Sequence, residues 1–99
     1  MPSNDNYIEE IAEQIREKLD PEQLPDRGLD QLFASYALLA LSKGSSVTNE
    51  DVHDAWSVWA TEFDQDNASL VPFDQLSAKT QRQDQVYRDA IRDVAATLN

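Results

Sequence analysis

The sequence predicts an all-α fold, one compact domain built from about four helices. Apolar residues recur at steps of three and four along four separate stretches, the mark of one buried face on each helix. No stretch alternates with period two for long enough to make a strand. Glycine is rare, two in 99 residues. A chain of this length holds a single core and buries about two thirds of its unfolded surface.

The first helix is expected over residues 7–19, where Ile8, Ile11, Ala12, Ile15 and Leu19 form a stripe. Asp5 or Asn6 can cap it, Glu9 and Glu10 suit the positive end of its dipole, and Arg16 and Lys18 suit the other end. Residues 1–6 are expected to be flexible. Asp20-Pro21 stops the helix, because the residue before proline is pushed out of the α region. The connector DPEQLPDRG is stiffened by Pro21 and Pro25, and Leu24 can tuck into the core. A second helix follows over 29–43 and ends at Gly44, a natural residue just past a helix end. Its stripe is Leu29, Leu32, Phe33, Tyr36, Ala37 and Ala40. Leu38, Leu39 and Leu41 widen it until the last two turns are apolar nearly all round. Such a helix belongs at the centre of a bundle, with a dimer seam as the alternative.

The third helix, 49–63, has the strongest local signals. Thr48 is a good N-cap, Asp51 three residues on gives a weaker capping box, and Val47 and Val52 occupy the positions of a hydrophobic staple. Val52, Ala55, Trp56, Trp59, Ala60 and Phe63 share one face, which carries both tryptophans of the chain. In residues 64–76, Asp64, Asp66 and Asn67 resemble the start of a calcium loop. Position six is Ser69 and position twelve is Gln75, where an EF-hand needs glycine and a bidentate glutamate, so that reading fails. Leu70, Val71, Phe73 and Leu76 surround Pro72 and should pack on the core. The last helix starts at a Ser77 N-cap and runs over 78–97, with Val86, Tyr87, Ala90, Ile91, Val94 and Leu98 as its stripe. Its first two turns, AKTQRQDQ, project into solvent or line a polar groove. The core is expected around Trp56, Trp59, Phe33, Ile11, Ile15, Tyr87 and Ile91, with Trp56→Ala costing about 3–5 kcal/mol.

Nineteen acidic against eight basic residues give a net charge of −11. That charge repels phosphate backbones and argues against nucleic acid as a partner. The acids are spread over every helix, which fits a solvated surface better than a dedicated acidic face. There is no cysteine, so no disulfide framework and no thiol chemistry; a reducing cytoplasm fits. The start MPSNDNY lacks the basic and apolar regions of a signal peptide. The longest apolar run, residues 36–41, is far too short to span a bilayer. Glu50 and His53 make a Glu-x-x-His pair, but His53 is the only histidine, and a di-iron site needs a second pair and further carboxylates. No nucleophile sits on a glycine-flanked turn and no glycine-rich phosphate loop exists. The chain is therefore expected not to be an enzyme, and no cofactor or metal is expected. The two tryptophans, Phe73 and Tyr87 can form an aromatic pocket with a polar rim, although such stripes more often serve the core.

Two pieces resemble the RyR domain, the helical repeat named after ryanodine receptors. His53-Asp54-Ala55-Trp56 is similar to that family's H-E-x-W. Leu70-Val71-Pro72-Phe73-Asp74-Gln75-Leu76 is similar to its Leu-Val-Pro-aromatic-acid-Glu/Gln-Leu run. Asp84 stands eight residues past Leu76, like an aspartate of the family's last helix. The family's G-W-x-Y-G hairpin and its His-Pro have no counterpart in residues 60–69. The resemblance implies an RyR-like half over 49–98 with an added helical pair over 7–44. The whole chain also resembles a family of short proteins from actinobacteria and their phages, which implies a host cytoplasm. For function the RyR resemblance implies recognition of a nucleotide or a nucleotide-derived signal.

Two binding roles follow as expectations. The first is a protein-interaction module, self-association included, that uses the acidic surface or the spare leucines Leu38 and Leu41. The second is a small-ligand module with its site between the third helix, Pro72-Phe73 and the start of the last helix. His53, Trp56, Phe73, Arg82 and Asp84 are its candidate residues. Arg82 can hold a phosphate in bidentate fashion, although the net charge opposes any anion. Asp84 is further expected to accept backbone N–H bonds from residues 64–73. Asp84→Asn would then cost about 1–3 kcal/mol, increasingly so above pH 4.

Overall fold

The computed structural model describes residues 6–98 and places four helices where the sequence puts them. They are α1 (Tyr7–Glu17), α2 (Leu29–Lys43), α3 (Asn49–Phe63) and α4 (Ala78–Ala96), with no strand among the described residues. Single 3₁₀ turns at Pro21–Gln23, Gly44–Ser46 and Phe73–Gln75 fill the connections. The expected flexibility of residues 1–6 lies outside the described residues, Asn6 apart. The Asn6 side chain accepts the Glu9 N–H at 2.9 Å and caps α1. That helix closes at Glu17 rather than at 19, because the Lys18 N–H tightens onto the Ile15 carbonyl in a 3₁₀-type bond of 3.1 Å. Leu19 is buried all the same.

The wide apolar surface of α2 is used from within: this helix packs on α1, α3 and α4. Leu32, Phe33, Tyr36, Ala37 and Ala40 are all buried, and they meet Ile11 and Ile15 of α1, Val52, Trp59 and Ala60 of α3, and Ile91 and Val94 of α4 in one core. Leu38 and Leu41 remain exposed. Two expected core members, Trp56 and Tyr87, are only half-buried and stand at its margin.

Local chemistry sets the start of α3. The Thr48 hydroxyl accepts the Asp51 N–H at 3.1 Å, and the Asp51 carboxylate accepts the Thr48 N–H at 3.0 Å, so the capping box is complete despite its shorter acid. Val47 and Val52 are fully buried on either side of the cap, the two halves of the staple. Arg92 of α4 reaches across and donates Nε–H to the Val47 carbonyl at 2.7 Å.

Long-range contacts set its end. Gly28 starts α2 with φ 64°, and its carbonyl accepts the Trp59 indole N–H at 3.0 Å. A Cβ on Gly28 would stand 2.6 Å from Trp59 Nε1 and 2.9 Å from the Phe63 ring. Next to it, Arg27 donates to the Phe63 carbonyl at 2.8 Å, in the last turn of α3. The connector between α1 and α2 is therefore clamped across the C-terminal end of α3. No helix among the described residues is long and apolar enough to cross a membrane.

Gly28→Ala combines a left-handed backbone with a steric collision, so a loss of about 2–4 kcal/mol is expected in urea titrations. Trp59→Ala is expected to cost about 3–5 kcal/mol and Trp56→Ala clearly less, because only the first is buried and tied by its indole. Equal losses for the two tryptophans would contradict this packing.

Candidate functional site

His53 is the residue whose surroundings differ most from expectation. A solitary histidine near the start of a helix is ordinarily at least partly exposed, yet His53 is only 2% exposed. The segment 70–73 covers it. Nε2 lies 2.6 Å from the Val71 carbonyl, and because a carbonyl can only accept, Nε2 carries the proton. The ring stacks on Trp56, with centroids 5.5 Å apart, and Phe73 lies beyond it at 6.3 Å. Its other nitrogen, Nδ1, faces Asp84 of α4, 3.7 Å from Oδ2.

That distance is an ion-pair contact and too long for a hydrogen bond. Asp84 Oδ2 is buried and has no hydrogen-bond partner among the described residues. The expected backbone N–H donors from residues 64–73 do not reach it. Gln81 holds that segment instead, its amide donating to the Phe73 carbonyl at 3.1 Å and the Leu76 carbonyl at 3.2 Å. Asn67 completes the loop by accepting the Ser69 N–H and donating to Asp64, both at 2.8 Å. Pro72 is extended, with φ −55° and ψ 149°, and the Val71 carbonyl and the Phe73 ring lie beside His53. Of the four apolar residues around it that were expected on the core, only Leu70 packs against the core.

Burial without a donor disfavours the charged form of Asp84, and the nearby His53 offsets this only in part. The carboxyl pKa is raised from 3.8 to about 6. Tyr36 of α2 is 1% exposed, and its hydroxyl makes no hydrogen bond within the described residues. Burial pushes its pKa well above the ordinary tyrosine value, with Tyr87 and then Asp84 adding to the effect. Tyr87 is raised too, by burial and then by Asp84.

These groups open into one cavity of about 300 Å³. Trp56, Trp59, Tyr36 and Tyr87 give it aromatic walls. His53 and Asp84 stand on one side, with Thr80 and Gln83 from the polar first turns of α4. Gln23 and Pro25 of the connector and Asp64, Asn67 and Ser69 of the loop close the rest. No lysine or arginine lines it among the described residues. Of the five candidate residues, the fold brings His53, Trp56 and Asp84 together around this space. Phe73 sits behind the imidazole rather than in the wall. Arg82 is exposed and does not line the cavity, so no guanidinium is placed there for a phosphate. Tyr36 and Gln23 went unforeseen as site residues. The available signal was the one hydroxyl in the otherwise hydrocarbon stripe of α2.

A family model matches residues 6–96, nearly the whole described chain. The chain belongs to the family described as Domain of unknown function (DUF7701). This overturns the RyR resemblance, because the family match runs through both halves and no RyR-repeat match accompanies it. The two stretches behind that resemblance do meet, through His53, Val71 and Phe73. Their spacing serves the packing of this fold and does not identify the repeat. No curated protein and no solved structure matches the chain significantly.

The raised pKa reverses the earlier expectation for Asp84. A carboxyl that binds its proton more tightly when folded favours the native state below pH 4, and that advantage is lost as pH rises through about 6. Asp84→Asn never acquires the charge. Relative to the parent it is therefore expected to gain about 1–2 kcal/mol between pH 4 and pH 7, a range discounted for partial solvent screening. Urea titrations at both pH values read this directly, and a loss that grows with pH would contradict it.

Proposed function

We propose that this protein is a non-enzymatic binding module, and that the cavity between α2, α3, α4 and the loop 64–73 is its site. One observation carries the reading: a buried carboxylate oxygen without a partner faces an aromatic-walled space. Buried polar groups are normally satisfied, so an orphan of this kind calls for an explanation. Here a ligand that donates a hydrogen bond supplies one. The walls add the usual make-up of a small-molecule site, mostly apolar with a few converging polar groups.

Catalysis is not part of the proposal. The one imidazole is buried, with one nitrogen engaged by a carbonyl and the other facing Asp84. A nucleotide is a weaker candidate than the cavity's neutral and acidic lining would suggest for other ligands, since phosphate would find no cation there and would meet the field of a chain with net charge −11. A cysteine-free acidic chain of this kind suits the cytoplasm.

Both tryptophans line the cavity, so their fluorescence is a direct reporter. Titration with a fragment library is expected to give ligands that change tryptophan emission, raise the melting temperature and lose affinity in Asp84→Asn. Ligands that act equally on parent and variant, or no ligand at millimolar concentration, would contradict the site.

A second reading, self-association, is favoured by the outer face of α2, where Leu38 is 60% and Leu41 44% exposed one turn apart. Sedimentation equilibrium tests it. A dimer that Leu38→Glu converts to monomer would support this reading, and a monomer at high protein concentration would dismiss it.

A further inference from the structure

We propose that the cavity takes a small organic cation bearing N–H donors, an ammonium or guanidinium on a short apolar stem. Its charge would sit at Asp84 and its stem against the tryptophan rings. The inference rests on the cavity being a binding site and adds what enters it.

The polar groups left unused in this cavity point to that class. Asp84 Oδ2 is buried without a donor. An ionised carboxylate only accepts, so it asks for N–H or O–H groups from the ligand. The Tyr36 hydroxyl, on a side chain 1% exposed, is likewise unpaired within the described residues and lines the same space. A second acid, Asp64, lies at the rim, with no lysine or arginine among the described lining residues. An anion would have no counter-charge there. Aromatic faces attract cations through the ring quadrupole, Trp most strongly, and more so when the cation is desolvated. Both indoles are in the wall. The surplus of eleven negative charges draws cations towards the site and holds anions away. A space of about 300 Å³ fits a ligand of a dozen or so heavy atoms rather than a folded partner.

Protonation follows from the same geometry. The groups facing Asp84 are His53 from α3, Tyr36 from α2 and Tyr87 on its own helix, with Asp64 across the cavity. Between pH 5 and pH 7.5 Asp84 passes from mostly neutral to ionised. A cation therefore binds more tightly as pH rises and releases a proton on entry. Both tyrosines stay neutral throughout that range.

The test is a titration of the full chain, followed by tryptophan fluorescence and calorimetry. The probes are butylguanidinium, phenethylammonium and tetramethylammonium, with neutral butylurea, adenosine monophosphate and a capped Gly-Arg-Gly peptide as comparisons. The two N–H cations are expected to bind at least about tenfold more tightly than butylurea, with tetramethylammonium weaker for want of donors. Affinity should fall about tenfold from pH 7.5 to pH 5, the change expected of one carboxylate that titrates near pH 6. Asp84→Asn should abolish both the preference and its pH dependence while leaving the fold intact. Tyr36→Phe, which keeps the ring, should weaken binding several-fold. Butylurea or the monophosphate binding as well as the cations, with sensitivity to Asp84→Asn, would overturn the cation assignment and leave the site standing. A peptide preferred tenfold over butylguanidinium would move the source to a protein side chain and overturn the small-molecule claim. Absence of binding by every probe at millimolar concentration would overturn both readings.

Discussion

His53 is held from two sides, and much of the C-terminal half depends on that grip. Its Nε2–H secures the Val71 carbonyl at 2.6 Å, while Nδ1 is directed at Asp84 3.7 Å away. One imidazole thus joins three elements: α3, on which it stands, the loop that covers it, and α4. The loop has few regular backbone bonds of its own, so the side chains of His53, Gln81 and Asn67 do the work a ladder or helix would do elsewhere. Since the same ring stacks on Trp56, its position also fixes one wall of the cavity. The opposite end is fixed independently by the Gly28–Trp59 hydrogen bond and the Arg27 contact with Phe63.

Asp84 does not fit this pattern of satisfied groups. With Nε2 already committed to donation, the other ring nitrogen stands 3.7 Å from the carboxylate, too far to hydrogen-bond it. Placing a carboxylate where it lacks a donor costs stability, and proteins retain such costs mainly at sites where something else is gained. Stability and binding should consequently respond in opposite directions to the loss of the Asp84 charge. Removal of an ordinary structural carboxylate would weaken the fold and leave no ligand affected.

The helices were legible because their signals are local. The Thr48–Asp51 capping box, the Ser77 cap and most of the apolar stripes act within a few residues and appear where they were read. The exceptions are the end of α1, which closes two residues before the place Asp20-Pro21 was expected to set, and Val86 and Leu98 of the α4 stripe, which are exposed. The polar opening of α4 was read as facing solvent or lining a polar groove, and it does both. Lys79, Arg82 and Gln85 are exposed, while Thr80, Gln83 and Asp84 line the cavity. His53, Trp56 and Asp84 could be gathered into one site, although by a resemblance that did not hold. What escaped depends on contacts between distant parts of the chain. Burial of His53 is decided by a loop eighteen residues on, and its place on the inward face of α3, three residues before Trp56, was masked by its polarity. Tyr36 read as core because its stripe is apolar. Its hydroxyl became a site group only when α4 brought Asp84 near it. Arg82 was selected for its chemistry, yet the turn of α4 directs it to solvent while its neighbour Gln83 takes the place in the wall.

The central claim is that Asp84 is held as an unsatisfied carboxyl beside His53. Its most direct test is a ¹³C NMR titration of the Asp84 carboxyl carbon in the ligand-free protein. A midpoint near 6 is predicted. A midpoint at or below the ordinary value of 3.8 would show that the oxygen has found a donor, and would contradict the account of the site.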